Sequence, residues 1–295
     1  MKILITGASG FVGSHVLKKL SEQEVCVLTS SESFDSGGIK TINSKGYSFD
    51  EEYLLKNGCE DTKVIFHIGA FTPKSSSDAN CLASNISNIT STQALLQSKL
   101  PNLKRFVYIS SLDVYGNIDA VIDENTPVCP ATLYGWSKLF CEEMIKTHFK
   151  NKDVNFQLLR LGHVYGEGEE KYKKVMPVMI KNALGGQDIT IIGDGQALRT
   201  FIYIDDVADA IINSLKLKNS EIINIVGNEA VTIKTLAEMI NSISGSGVQI
   251  KYTDSDLPNR NLCFNNQKLM CTLLNQLTSL ENGLKREIDY MKRVL

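Results

Sequence analysis

The sequence lacks most of the features that would classify it at a glance. Its seven cysteines (Cys26, Cys59, Cys81, Cys129, Cys141, Cys263 and Cys271) include no C-x-x-C pair. With only four histidines beside them, no spacing suits a zinc site, and no metal is expected. Most of these cysteines stand in apolar runs and read as buried thiols, which points to a reducing compartment, the cytoplasm. A net charge of −2 gives no basic surface for nucleic acid and none for an anionic membrane. No apolar run is long enough to span a bilayer. The opening Met1-Lys2-Ile3-Leu4-Ile5 reads as a short strand, not a signal peptide. Repeats and low-complexity tracts are also missing. What remains is ordinary globular composition, 43% hydrophobic and 22% charged over 295 residues, enough for one large domain or two modest ones.

The N-terminal run Lys2–Thr6 reads as a buried strand, and it passes directly into Gly7-Ala8-Ser9-Gly10-Phe11-Val12-Gly13. Apolar residues at helical spacing follow. Strand, glycine turn and helix form the context of a dinucleotide-binding fingerprint. Gly7 permits the turn, Gly10 lets backbone approach a pyrophosphate, and Gly13 lets helix and strand pack closely. Ser9, Phe11 and Val12 complete the loop. After the second strand, an acidic residue would suit the ribose of NAD. Here Thr29, Ser30 and Ser31 stand instead. Their hydroxyls favour the 2′-phosphate of NADP(H), with NAD(H) left open. Asp50 either reaches the adenine or caps a helix. Ile68, Gly69 and Ala70 end a buried strand in small residues that fit beside a flat cofactor. His67, within that strand, reads as a core residue.

Further along, Arg105 to Ile109 reads as another strand, ending in Ser110-Ser111 at the ligand edge of a doubly wound sheet. Tyr134 and Lys138 lie one turn apart on a helix and therefore on one face. A fixed ammonium there favours the phenolate and pulls the Tyr pKa from about 10 toward neutrality. Tyr134 is thus a candidate general acid/base. A serine of the Ser110-Ser111 pair can hydrogen-bond a substrate oxygen beside it.

Taken in order, Gly7-x-x-Gly10-x-x-Gly13, Ser110-Ser111 before Val114-Tyr115-Gly116, and Tyr134-x-x-x-Lys138 resemble the extended short-chain dehydrogenase/reductases, in the nucleotide-sugar epimerase/dehydratase group. The segments around Asn88, Arg160 to Gly166, and Gly193 to Asp206 are similar too, so the likeness spans nearly the whole chain. It implies an α/β fold with a doubly wound parallel Rossmann sheet and a smaller α/β substrate domain. Residues 1–162 and 201–227 would bind NAD(P), and residues 163–200 and 228–295 the nucleotide sugar. Tyr134 would be the acid/base at sugar C4, Lys138 would hold the nicotinamide ribose and lower the Tyr pKa, and Ser111 would bind the same sugar oxygen. His163, Arg199 and Arg260 would contact substrate, the two arginines at the pyrophosphate. A homodimer through residues 87–99 and 136–149 is also implied.

Departures from the pattern narrow the activity. Dehydratases of the group carry Asp then Glu after the serine; here Leu112 and Asp113 follow, and Leu cannot protonate a leaving hydroxyl. Thr29 replaces the acid that helps epimerases retain NAD, which favours an enzyme that exchanges cofactor at each turnover. His163 stands in place of the usual Asn. Trp136 either shapes the sugar pocket or only packs. The expected activity is NAD(P)H-dependent reduction of a 4-keto nucleoside-diphosphate hexose. The alternatives are a 4-epimerase and, more remotely, a non-catalytic dinucleotide sensor.

Overall fold

Seven short runs pair into one sheet in a computed structural model that describes residues 1–31, 34–35, 37–118, 120–255 and 261–295. The strands are β1 (Lys2–Thr6), β2 (Glu24–Thr29), β3 (Lys40–Asn43), β4 (Val64–His67), β5 (Arg105–Ser111), β6 (Asn155–Leu161) and β7 (Glu221–Ile225). Their spatial order is β7-β6-β5-β4-β1-β2-β3, and the pairings from β3 through β6 are parallel. After β3 the chain crosses to the other side of β1, so the order reverses between β1 and β4. In such sheets ligands bind outside the carboxyl ends of the strands at that reversal. The register sets Thr6 beside both Leu28 and His67, and His67 beside Tyr108.

The strands are apolar on both faces because helices cover them. The main ones are α1 (Phe11–Lys19), α2 (Leu82–Gln97) and α3 (Leu133–Phe149). Helix α3 starts where the Thr132 side chain accepts from the Gly135 N–H at 3.1 Å and ends with Lys146 and His148 in its last turn. Leu95, Leu96, Cys141, Ile145 and Phe149 pack with Leu4, Ile65, Phe106 and Tyr108 in one apolar core. Each such side chain removed from water contributes about 1.5–3 kcal/mol.

By contact the chain divides into two units. The first holds Met1–Gly116, Pro127–Leu161 and Ala208–Asn224; the second holds Asn117–Thr126, Gly162–Val207 and Ile225–Leu295. Residues 117–126 and 201–207 therefore group with the second unit. Within it, Leu198–Tyr203 pairs with His163–Tyr165 in parallel and with Ala230–Thr232 antiparallel. The strands Ile189–Ile192 and Ile250–Thr253 form a parallel ladder. Helices α4 (Val175–Leu184), α6 (Ile233–Ser244) and α7 (Leu280–Val294) accompany them and pack on one another, while α5 (Ile204–Asn213) passes into the first unit after Val207. The C-terminal stretch ends in a 15-residue amphipathic helix, α7. Among the described residues, no helix is long and apolar enough to cross a membrane.

Helix α7 buries an acid. Glu287 is fully buried, and neither carboxyl oxygen has a hydrogen-bond partner. Burial pushes its carboxyl up to about 9, helped by the neighbouring charges of Glu169 and Glu170. The folded protein therefore holds a proton that the unfolded chain releases in the ordinary carboxylate range. Stability falls as pH climbs from that range toward 9. Glu287→Gln keeps the neutral shape without the titration. It should match the wild type in urea unfolding near pH 5 and exceed it by on the order of 1–3 kcal/mol at pH 8.5.

Candidate active site

The glycine turn leaves room for nothing but backbone. Gly7 has φ +73°, and a Cβ added there would lie 2.4 Å from the Gly69 nitrogen. A Cβ on Gly13 would lie 2.0 Å from the Gly7 carbonyl oxygen. Gly10 N–H closes the turn onto that same oxygen at 2.9 Å, and α1 begins at Phe11. This is a bare backbone cradle at a helix N-terminus, and it fits the pyrophosphate of a dinucleotide. Ser9 at its tip is exposed, and Phe11 and Val12 are half-buried. Ile68, Gly69 and Ala70 follow β4 directly opposite, and Gly69 N–H donates to Thr6 Oγ1 at 3.0 Å.

Two of the other cofactor candidates are placed differently. Thr29 is buried, and its Oγ1 accepts the Ser31 N–H at 3.0 Å, so that hydroxyl faces inward. Ser30 is exposed beside it. Asp50 Oδ1 accepts the Glu52 N–H at 3.0 Å, a local turn ahead of the short helix Tyr53–Lys56.

The first unit brings Ser111, Tyr134 and Lys138 to the same sheet edge. Lys138 is buried under α3, where Nζ donates to the Ile109 carbonyl at 2.9 Å. Its ammonium lies 4.9 Å from the Tyr108 ring centroid and 5.9 Å from that of Tyr134. Desolvation brings its pKa down to about 8. The Tyr134 phenol is not lowered as the spacing alone predicts. Burial raises it first, the Asp113 carboxylate raises it further, and the hydroxyls of Ser111 and Thr72 oppose both. Lys138 is directed at a carbonyl and the Tyr108 face, so in this arrangement it does not overcome the loss of water around the phenolate.

Asp113 and Thr72 are site members that the spacing of motifs does not reveal. Ser111 Oγ donates to Asp113 Oδ2 at 3.1 Å, and the Asp113 N–H returns to Ser111 Oγ at 3.2 Å. The sequence does show Asp113, as a departure at a catalytic edge. Thr72 carries no signal beyond its place after a strand end.

Behind this edge lies a buried charge network. Arg160 on β6 meets Glu142 on α3 with both prongs, Nε to Oε1 at 2.9 Å and Nη2 to Oε2 at 2.7 Å. The pair is 3% and 0% exposed. Ser110 Oγ donates to Glu142 Oε1 at 2.6 Å, and Arg160 Nη1 donates to the Tyr115 hydroxyl at 2.8 Å. That hydroxyl donates to Asn224 Oδ1 at 2.9 Å. On the opposite side, His67 Nδ1 lies 2.9 Å from Thr6 Oγ1 and Nε2 lies 3.0 Å from Thr92 Oγ1. Burial, then the Lys138 charge, lowers its pKa to about 3, so it is a neutral core residue as expected. Asn88 joins the loop and both helices: its Oδ1 accepts Phe71 N–H at 2.7 Å, and Nδ2 donates to Ser137 Oγ at 3.2 Å.

The remaining candidates belong to the second unit. His163 is edge-on to Phe201, with ring centroids 5.8 Å apart. Arg199 Nη1 donates to the Leu198 carbonyl at 2.8 Å. Arg260 lies outside the described residues. Trp136 is 53% exposed on α3, so it fills no part of the core. Among the described residues, no group of His, Cys, Asp or Glu is arranged to hold a metal ion.

The family model for the NAD dependent epimerase/dehydratase family matches residues 3–226. The chain belongs to that family. Its relatives include an uncharacterised UDP-glucose epimerase of Bacillus subtilis, 29% identical over 99% of this chain and 98% of the relative. A putative UDP-glucose 4-epimerase of Methanocaldococcus jannaschii is 28% identical over 98% of each. Among solved structures, the UDP-glucuronic acid 4-epimerase of Bacillus cereus, in complex with UDP-glucuronic acid and NAD, superposes with a TM-score of 0.82 at 27% identity over all of both chains. The epimerase/dehydratase family is thus matched in sequence and in its mixed α/β fold with a Rossmann-type parallel sheet. It uses NAD(P), which agrees with the glycine cradle described above.

Two outcomes follow from the geometry. Glu142→Ala leaves the Arg160 guanidinium buried without its carboxylate and should cost about 3–5 kcal/mol in denaturant unfolding; replacing both residues together by Leu and Met should recover most of the loss. Asp113→Asn removes a negative charge facing Tyr134, so the rising limb of activity against pH should move to lower pH.

Proposed function

We propose that the chain is a nucleotide-sugar 4-epimerase of UDP- or dTDP-hexoses. The observation that carries this reading is the buried Tyr134 phenol, flanked by Ser111 and Thr72, at the sheet edge beside the glycine cradle. Leu112 supports it from the other direction. It is buried and apolar where a dehydratase needs an acid for its leaving hydroxyl. The names of the relatives, UDP-glucose epimerases among them, support the nucleotide-sugar class.

In this reading the glycine turn would hold NAD(P), which would supply reversible hydride acceptance at sugar C4, with return to the opposite face of the 4-keto sugar. The chain's own residues manage the proton. Tyr134 takes it from the C4 hydroxyl as that carbon is oxidised and returns it on re-reduction. Ser111 steadies the same oxygen. Lys138 keeps a cation close to the Tyr134 ring and to the nicotinamide ribose. His163, Arg199 and Arg260 are proposed to receive the sugar and its pyrophosphate, Arg through its bidentate fork. Residues 1–162 with 201–227 would carry the cofactor, and 163–200 with 228–295 the substrate.

A second reading, NAD(P)H-dependent reduction of a 4-keto hexose, is favoured by one feature. No carboxylate stands at positions 29–31, where an enzyme that retains its cofactor would use one to clamp the ribose. We further propose a homodimer through α2 and α3. These packed helices leave Leu82, Ile86, Trp136 and Phe140 in water, with Trp136 and Phe140 each 53% exposed.

The purified protein should interconvert UDP-glucose and UDP-galactose, or the dTDP hexoses, without added cofactor. Stoichiometric loss of NADH or NADPH on a dTDP-4-keto-6-deoxyhexose, with no interconversion, would instead establish the reductase. Tyr134→Phe should lose about 10²–10⁴-fold in turnover while still folding and binding dinucleotide. Normal turnover by that variant would overturn the assignment of Tyr134.

A further inference from the structure

The end of β2 lacks a carboxylate, but the space beside it is not empty of chemistry. The chain leaves β3 through a tight turn, Lys45–Tyr47, and Tyr47 adopts φ +53°, a left-handed backbone that bulky residues rarely take. The turn hangs from β2, since Ser44 N–H donates to the Thr29 carbonyl at 2.9 Å and Tyr47 N–H to the Ser44 carbonyl at 3.0 Å. Tyr47 also packs partly against the core of the first unit. Its ring is therefore held from both ends.

This placement brings the phenol oxygen to the meeting point of three strand ends. A Cβ built on Gly69, after β4, would lie 3.0 Å from Tyr47 Oη and 2.9 Å from the Gly7 nitrogen, after β1. Backbone N–H groups of Gly7 and Ser30 and the Ser30 hydroxyl face that oxygen, partly offsetting the rise that burial imposes on the phenol. The phenol stands over the glycine turn on the β2 side, where the adenosine half of a dinucleotide lies in a doubly wound sheet.

We propose that Tyr47 is the residue that reads the adenosine ribose: its phenol replaces the missing carboxylate as partner of the ribose hydroxyls, and its bulk, with no arginine at positions 29–31, selects NAD(H) over NADP(H). This rests on the dinucleotide-dependent function proposed above. It reverses the preference that the three hydroxyls after β2 suggest, because Thr29 is turned inward and Tyr47 stands where a 2′-phosphate would project. Lys45, exposed in the same turn, is the one nearby cation among the described residues of that turn.

The test is direct binding, free of turnover. Nucleotide-stripped protein is titrated with NADH and with NADPH by calorimetry, as wild type, Tyr47→Phe, Tyr47→Ala and Lys45→Ala, with circular dichroism to establish folding. Wild type should bind NADH at least tenfold more tightly than NADPH. Tyr47→Phe should lose about two- to tenfold for NADH, the scale of one hydrogen bond. Tyr47→Ala should lose as much again and narrow the preference, while Lys45→Ala changes neither. If both Tyr47 variants bind NADH like the wild type, or if NADPH binds more tightly and Lys45→Ala abolishes that advantage, the proposal is wrong while the enzymatic reading stands. If folded wild type binds neither dinucleotide, both fall together.

Discussion

The paired charges of Glu142 and Arg160 set the geometry of the first unit. Two groups this deeply desolvated are tolerable only because they satisfy one another in a bidentate arrangement. The constraint is directional. Glu142 lies one turn beyond Lys138 on α3, and Ser110 immediately precedes Ser111 on β5. Fixing Glu142 against Arg160 and Ser110 therefore fixes the rotation of α3 and the position of β5 together. Tyr134 and Ser111 inherit their relation from a salt bridge that neither of them touches. Tyr115 and Asn224 extend the same network toward β7, so three strands and a helix share one polar anchor in an otherwise apolar interior.

That rigidity has an electrostatic side. Burial holds the Tyr134 phenol up and the Lys138 ammonium down, so each is displaced toward its neutral form. An acid/base that gives and recovers a proton at one sugar oxygen needs a surrounding field that favours its anion once substrate is in place. The protein supplies two opposing contributions, the Asp113 carboxylate against it and the Ser111 and Thr72 hydroxyls for it. The site as folded keeps the phenol protonated.

Much of this was legible from sequence because it depends on short-range pattern. The glycine turn is dictated by sterics within seven residues, and the Tyr134 helix by periodicity and a threonine cap. The alternation of apolar runs with helical segments exposes the doubly wound class. What escaped depends on contacts distant in sequence. Nothing around Tyr47 signals that its ring reaches Gly7, forty residues earlier. The inward turn of Thr29 follows from a local hydrogen bond that composition cannot show. The direction of the Tyr134 shift depends on depth of burial, which spacing on a helix does not encode.

The hydrogen bonds around His67 have a direction. Gly69 N–H donates to Thr6; Thr92 donates to the Asn88 carbonyl, so the neutral imidazole must accept from Thr6 at Nδ1 and donate to Thr92 at Nε2. Asn88 then donates to Ser137, whose hydroxyl donates to the Tyr134 carbonyl. Every proton in this string points from the glycine turn toward the catalytic helix, and it begins at an amide and ends at an amide oxygen. Neither terminus can release or take up a proton at ordinary pH. The string is a strut and not a wire. In the reading proposed above, the proton that Tyr134 exchanges passes on the other side of the ring, where Ser111, Thr72 and the half-buried Asp113 stand.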